Sequence, residues 1–183
     1  YDNTTEDILS RTTYDGTRFQ RLEDTQNYAT GARLAVGTGI ITGTAEDSTV
    51  YGYTVDVAAP GVDYESRYMQ ESTSLYGNVT KSELSTTDES VISYTKYDGT
   101  RYQRLDHTWN LKENESYSAT GYVKADIEDA TVYEYGTSYA SRYMTESTTI
   151  MNSAIKRDAT GDLTGYDNTT EDILSRTTYD GTR

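Results

Sequence analysis

Residues 92–105 read ISYTKYDGTRYQRL, and this stretch decides the fold class of the chain. An Asp-Gly pair between two segments rich in Tyr and Thr is a strong local signal for a β-hairpin. A two-residue turn at Asp98-Gly99 predicts that Thr95 lies opposite Tyr102 on the paired strands. We therefore expect antiparallel β-structure around this motif.

The motif has an earlier copy, TTYDGTRFQRL, at residues 12–22. A two-residue turn at Asp15-Gly16 places Thr12 opposite Phe19, which is again a threonine facing an aromatic ring. The agreement between the two copies supports the hairpin prediction, because both put equivalent residues at equivalent positions.

The chain also contains long-range sequence repetition. Residues 1–18, YDNTTEDILSRTTYDGTR, reappear unchanged as residues 166–183, at an offset of 165 residues. The YDGTR motif begins at Tyr14, Tyr97 and Tyr179, which divides this length into halves of 83 and 82 residues. Self-similarity at a fixed period is the signature of repeat proteins, so we expect a tandem array.

Two further anchors support the division into halves. EDSTVYGY at residues 46–53 returns as EDATVYEY at 128–135, and YESRYMQEST at 64–73 returns as YASRYMTEST at 139–148. The spacing between these anchors differs in the two halves, which is typical of strands joined by tolerant loops. The predicted organisation is unit A at 14–96, unit B at 97–178, the end of a preceding unit B at 1–13, and the start of a further unit A at 179–183.

Composition favours a thin-cored β protein. Leu, Ile, Val and Phe make up 27 of 183 residues, and the net charge is −14. Such values are typical of disorder, but 19 tyrosines can bury large rings while their hydroxyls stay hydrated. We expect an all-β tandem repeat of two related β-sandwich-like units of about 83 residues. A β-solenoid and strands shared between neighbouring units are the alternatives.

The structural side chains are expected on the repeated strands and at the two Asp-Gly turns. Alternation with period two predicts that Tyr51 and Tyr53 share one strand face, as do their counterparts in the second half. The residues that we expect to hold the units together are Tyr51, Tyr53, Tyr68, Tyr133, Tyr135 and Tyr143, with Asp15, Gly16, Asp98 and Gly99 at the turns.

No catalytic site is expected. His107 is the single histidine and Trp109 the single tryptophan, and the chain has no cysteine with which to build a nucleophile–base pair. A lone histidine after a hairpin strand is expected at the surface. None of the common nucleophile, phosphate-binding or zinc-protease motifs occurs.

No cofactor is expected, although calcium and covalent glycans remain open alternatives. Acidic residues beside predicted turns could supply oxygen ligands for calcium, and simple surface charge is the alternative. These candidates are Glu46, Asp47, Glu128, Asp129, Asp158 and Asp162. Asn-x-Ser/Thr sequons that could carry glycans in a secreted protein occur at Asn3, Asn78, Asn114 and Asn168.

The acidic balance argues against nucleic-acid partners, since phosphate would be repelled. No apolar run is long enough for a membrane span, and the absence of cysteine excludes disulfides. The expected partners are further copies of the same repeat, along one chain or between chains.

The segments TTYDGTRFQRLEDT and TKYDGTRYQRLDHT resemble the YD repeats of Rhs-type shells and teneurins over about 15 residues per half. The threonine-rich, acidic, cysteine-free composition is similar to that of repeats in extracellular fibres and large surface adhesins. This resemblance implies an extracellular or cell-surface setting and assigns no functional residues. We expect a structural protein, a repeat segment of a fibre or filament. The alternatives are the stalk or binding repeats of an adhesin and, third, a Rhs-like shell or carbohydrate-active repeat.

Overall fold

The threonine- and tyrosine-rich segments form strands in the computed structural model of the chain. The structure describes residues 7–16, 19–35, 41–53, 68–87, 89–112, 117–118, 121–122, 127–136, 142–157, 163–167 and 172–180. In chain order, their strands are β1 (Ser10–Tyr14), β2 (Leu22–Tyr28), β3 (Arg33–Leu34), β4 (Ile41–Thr42), β5 (Ala45–Tyr53), β6 (Met69–Tyr76), β7 (Val91–Tyr97), β8 (Leu105–Leu111), β9 (Tyr117–Ser118), β10 (Gly121–Tyr122), β11 (Ile127–Tyr135), β12 (Met144–Met151), β13 (Ile155–Arg157), β14 (Leu163–Tyr166) and β15 (Ile173–Thr178). A 3-10 turn, Asn152–Ala154, precedes β13.

Nine of these strands form one antiparallel sheet in the order β1-β2-β5-β6-β7-β8-β11-β12-β15. The other six pair as small two-stranded sheets, β3–β4, β9–β10 and β13–β14. The all-β prediction is confirmed. The predicted sandwich units are replaced, in the described part of the chain, by a single large sheet whose connections fold back to cover it.

The strands alternate between a buried and a half-exposed face, as period-two sequences require. On β2, Asp24, Gln26 and Tyr28 are buried, whereas Thr25 and Asn27 between them are partly exposed. We call the buried side the core face. The opposite side is the threonine face, and it carries Thr12, Thr25, Thr49, Ser74, Thr95, Thr108, Thr131 and Thr149.

The core lies between the core face and the segments that connect its strands. The largest fully buried side chains of the sheet are Leu75, Trp109, Ile127 and Ile150. Val79, from the segment between β6 and β7, packs on them, and so do Ile155 and Tyr166, from the segment between β12 and β15, where Ala154 is also buried. A smaller cluster at the β2 side contains Tyr28, Ala32 and Ala45, with Ile8 and Ile41 packed against it.

The two halves of the sequence contribute matching strands to this sheet. Strands β1, β2, β5 and β6 of the first half correspond to β7, β8, β11 and β12 of the second. Residues 96 and 97, where units A and B were divided, lie next to each other in β7, which pairs with β6 on one side and β8 on the other. Backbone pairing therefore runs without interruption from one half into the other.

The hairpins form at the predicted motifs, but the predicted two-residue turns are wrong. Thr95 pairs with Thr108, not with Tyr102, and Tyr97 pairs with Leu105. The loop between the strands is therefore Asp98–Arg104. In the first copy, Thr12 pairs with Thr25 instead of Phe19. In both copies, a longer loop replaces the predicted tight turn.

Candidate assembly site

Each hairpin loop is closed by an aspartate that binds the arginine six residues later. The Asp98 amide donates to the Arg104 carbonyl at 2.9 Å, and the Arg104 amide donates to Asp98 Oδ1 at 3.1 Å. Arg104 Nε also donates to Asp98 Oδ2 at 2.6 Å. Within the loop, the Thr100 amide and hydroxyl donate to the same carboxylate at 3.0 and 2.8 Å. We call the contacts between the aspartate and the arginine the Asp–Arg clamp.

The first half contains the same clamp. The Asp15 amide donates to the Arg21 carbonyl at 3.0 Å, and Arg21 donates to the Asp15 carboxylate from its amide at 3.2 Å and from Nε at 2.6 Å. Backbone conformation repeats as well. Gly16 and Gly99 have φ of 68° and 63°, and Gln20 and Gln103 have φ of 48° and 45°. The positive φ at Gly16 and Gly99 explains why glycine follows the aspartate in this motif.

A tyrosine at the end of the third strand of each half, β5 or β11, packs on the clamp arginine. Arg21 lies 4.9 Å from the centre of the Tyr53 ring, and Arg104 lies 5.2 Å from that of Tyr135. Burial raises the pKa of both phenols above the usual value, although hydrogen bonds with the Leu22 and Leu105 backbones oppose the rise. The clamp is thus tied to the neighbouring part of the sheet by a cation–π contact.

Ionisation of the clamp carboxylate is favoured at Asp98. Burial acts to raise the pKa of Asp98, but hydrogen bonds from Thr100 and Arg104, with the charge of Arg104, hold that pKa below its usual value. The loop is therefore held by a charged acceptor, and hydrogen bonds to charged groups are the stronger kind.

Hydroxyl side chains connect the strands on the threonine face. Hydroxyl pairs lie 3.2 Å apart at Thr12–Thr25, 3.1 Å at Thr49–Ser74, 3.1 Å at Thr95–Thr108 and 2.9 Å at Thr131–Thr149. Equivalent pairs occur at equivalent strand junctions in the two halves. Between β2 and β5, Asn27 Nδ2 donates to Asp47 at 2.7 Å, and between β8 and β11, Asn110 Nδ2 donates to Asp129 at 2.8 Å.

The other predicted tyrosines occupy several different environments. Tyr51 and Tyr133 are half-buried on the threonine face, where the Tyr133 hydroxyl lies 3.5 Å from that of Thr108. A register shift after Gly52 and another after Glu134 interrupt the predicted alternation before Tyr53 and Tyr135. Tyr68 is buried immediately before β6, and Tyr143, immediately before β12, lies under Arg142 at 4.9 Å.

The expectation of a surface position for His107 is wrong. His107 is 4% exposed on the core face and stacks on Trp109, with 4.8 Å between ring centres. Its Nδ1 lies 2.9 Å from Asp106 Oδ2, and the hydrogen bond with His107 lowers the pKa of Asp106 below its usual value. Strand alternation from Trp109 was the available signal, because it places residues 107 and 109 on one face.

The structure does not bring the described calcium candidates together at turns. Glu46 and Asp47 lie inside β5, and Glu128 and Asp129 lie inside β11, so neither pair lies in a turn. Asp47 and Asp129 accept hydrogen bonds from asparagines of the adjacent strands. Among the described residues, no cluster of three or more acidic or histidine side chains is placed to hold a metal ion. Asp158 and Asp162 lie outside the described residues.

One sequon falls within the described residues. Asn78 is exposed in the segment after β6, next to the buried Val79. Its side chain is open to solvent, as a glycan acceptor requires. Asn3, Asn114 and Asn168 lie outside the described residues.

The two edge strands of the large sheet have the same sequence. Residues 8–15 and 173–180 both read ILSRTTYD, and they contain β1 and β15, at opposite ends of the strand order. The duplication is visible in the sequence, but its place at both edges of the sheet is not. Only the strand order supplies that information, and it makes the edges the candidate assembly site.

Comparisons of the chain with protein-family models, curated proteins and solved structures found no match. Among the residues that the structure describes, no helix has the length and apolar character needed to cross a membrane.

Proposed function

We propose that this chain is a structural protein, a repeat segment of a secreted or cell-surface fibre in which successive half-repeats extend one antiparallel sheet. The observation that carries the proposal is the correspondence of the two halves, strand by strand, within a sheet that passes from one to the other. A mechanical role follows from this geometry, because each half adds four strands to a continuous ladder.

The junction between the halves supports this role through specific side-chain contacts. At the β6–β7 junction the Tyr94 hydroxyl donates to Glu71 at 2.8 Å. At the β12–β15 junction, which is the next equivalent position, Arg176 Nε forms an ion pair with Glu146 at 3.1 Å. A glutamate on the fourth strand of each half thus binds a side chain of the strand that follows. Because this contact occurs in both halves, the fourth strand of each half is suited to bind a following strand.

The hairpin clamps support the same role. Their arginines are held by charge-assisted hydrogen bonds and stacked on tyrosines in both halves. Clamps at every half-repeat fix the loops at one end of the strands, which stiffens a ribbon against bending there. The net charge of −14 keeps such a polymer soluble, and glycans at exposed sequons such as Asn78 would protect its surface outside the cell.

The test uses a chain of four consecutive 165-residue repeats. Electron microscopy should show unbranched ribbons, and fibre diffraction of aligned material should place the strand spacing of about 4.8 Å along the ribbon axis. Four strands per half-repeat predict a further axial period of about 19 Å. Separate globules, or strands that run along the ribbon axis, would contradict the proposal. A single repeat treated in the same way is the control for length.

A further inference from the structure

We propose that the side of β2 that pairs with β1 can instead bind residues 173–180 of a second copy of this chain. In the single chain, β1 is the internal strand that occupies this site. The inference rests on the proposed fibre function and adds to it a defined contact between separate chains. The occupant is specified by sequence, because residues 173–180 are identical to the strand that β2 already binds.

The same eight residues bind a different strand in each of their two positions. As β1, the sequence pairs with β2, so that Arg11 faces Gln26 and Thr12 faces Thr25. As β15, it pairs with β12, and Arg176, the copy of Arg11, faces Thr148. Among the described strands, each position has a partner strand on one side. A strand with two demonstrated partners can lie between them and join two sheets into one.

The backbone groups used in the two positions are different. Towards β12, the Tyr179 amide donates to Thr145 and the Asp172 carbonyl accepts from Met151, at 2.8 and 2.9 Å. Towards β2 and the adjoining chain, the Ile8 amide donates to Ala32 at 2.8 Å, the Asp15 amide donates to Arg21 at 3.0 Å, and the Leu9 carbonyl accepts from Tyr28 at 2.9 Å. When the two copies are aligned, none of these backbone donors and acceptors is used in both positions. Both ladders can therefore form on one strand at the same time.

The side chains at the two positions are complementary as well. Asp7 accepts from the Gly31 amide at 3.0 Å and pairs with Arg33 at 3.3 Å, whereas its copy Asp172 accepts from Ser153 at 3.2 Å. A carboxylate has enough acceptor positions for all three partners.

The apolar contacts add to this complementarity. Ile8 packs on the smaller core cluster, and its copy Ile173 packs on the larger one. A strand bound on both sides would make these two clusters continuous across the junction. Four of the seven large hydrophobic side chains exposed in the described part of the chain lie on these edge segments: Leu9, Tyr14, Leu174 and Tyr179. Docking would give Leu174 and Tyr179 a second neighbouring strand, β2 of the other copy.

The internal β1 controls access to the site. Because β1 and an incoming β15 make the same contacts with β2, exchange between intact copies gains little and loses translational freedom. A copy whose β1 cannot pair is therefore the better acceptor. Alternate residues point their backbone groups to opposite sides of a strand, so Thr13 shares with Asp15 the side that faces β2. Thr178, the copy of Thr13, accordingly points its amide to the outer edge of β15.

The Thr13 amide faces β2, whereas the Thr178 amide faces the outer edge of β15, and this difference allows a test with full-length chains. The acceptor carries Thr13→Pro, which removes an amide that β1 needs for β2, together with Thr25→Cys. The donor carries Thr177→Cys, because Thr177 is the copy of Thr12, whose hydroxyl lies 3.2 Å from that of Thr25. The chain has no other cysteine, so a disulfide-linked heterodimer reports docking in the predicted register.

The matched control donor carries Thr177→Cys and Thr178→Pro. Proline at this position leaves the β12 side of β15 intact and blocks its outer side, where proline is tolerated on an edge strand. We expect about tenfold less heterodimer from the control donor. Equal yields from the two donors, or no heterodimer from either, would overturn the proposal.

The comparison is repeated with an acceptor that keeps Thr13, so that a folding defect caused by proline cannot decide the result. Cross-linking should then be slower, with the same preference for the unblocked donor. Ribbons of tandem repeats that form without any cross-linking between copies would refute exchange and leave the proposed function standing. Cross-linking between copies without ribbons would support exchange and refute the proposed fibre function.

Discussion

At the scale of single residues, the two Asp–Arg clamps are chemically identical but differ in burial. The Arg21 and Asp15 side chains are 4% and 9% exposed, whereas those of Arg104 and Asp98 are 27% and 17% exposed. The interaction of two charges weakens as solvent reaches them, and removal of one partner costs most where the other is most buried. The first clamp should therefore contribute more to stability.

We predict that Asp15→Asn lowers the free energy of unfolding by about 3 kcal/mol and that Asp98→Asn lowers it by about 1.5 kcal/mol. Asparagine keeps the shape of the side chain, but its NH2 group must face either the arginine Nε or the arginine backbone amide, and both of these need an acceptor. Urea denaturation curves measure both values. Glu46→Gln is the control, since Glu46 is exposed and should change stability by less than about 0.5 kcal/mol. A larger effect at Asp98 than at Asp15 would contradict this ranking.

At the scale of elements, the hairpin loop depends on its left-handed positions. Among the described residues other than its chain neighbours, no atom lies within 4 Å of a Cβ added at Gly16, so a substitution there tests mainly backbone conformation. We predict that Gly16→Ala lowers the free energy of unfolding by about 1 kcal/mol, and that Gly16→Asn costs less because asparagine tolerates a positive φ. Thermal unfolding of the two variants measures the difference. Equal melting temperatures for the two would show that the loop does not require this conformation.

The hairpins also show how far local sequence can predict an element. Asp-Gly marked the position of both loops, and threonine and tyrosine marked both strands. The register was wrong because the Asp98 side chain binds Arg104, so the loop closes six residues after the aspartate. A tight turn and a clamped loop share the same Asp-Gly signal. The arginine that distinguishes them is recognisable only when its hydrogen bonds are known.

At the scale of the whole molecule, strand content was predictable and sheet arrangement was not. Fifteen short strands in the described residues are compatible with a sandwich. The alternative arrangement arises because buried residues of the connections, such as Val79 and Ala154, supply the second layer. Ser48 fixes one of these connections, since its hydroxyl donates to the Gly77 carbonyl at 2.6 Å and accepts from the Val79 amide at 2.9 Å. No local pattern identifies a loop residue as the cover of a distant strand.

The arrangement of one sheet with a central core predicts a gradient of stability across the molecule. Leu75, Trp109 and Ile127, on the central strands, are 0% exposed, whereas the residues of β1 and β15 are mostly exposed. Regions with few buried apolar contacts open more readily than the core. We predict that in the single chain the amides of Thr13 and Tyr179, which face β2 and β12, exchange with solvent at least about tenfold faster than those of Tyr94 and Trp109.

Hydrogen exchange followed by mass spectrometry measures this gradient, and the chain of four repeats supplies the matched comparison. There, each ILSRTTYD segment between two repeats should lie between a β12 and a β2, so its amides should become protected to the level of β7, which has partners on both sides. The ILSRTTYD segment before the first β2 should still exchange fast, because it has only one partner strand. Equal exchange at outer and internal segments would mean that the repeats are separate sheets. Protection confined to the internal segments follows only if one strand serves both neighbours at once.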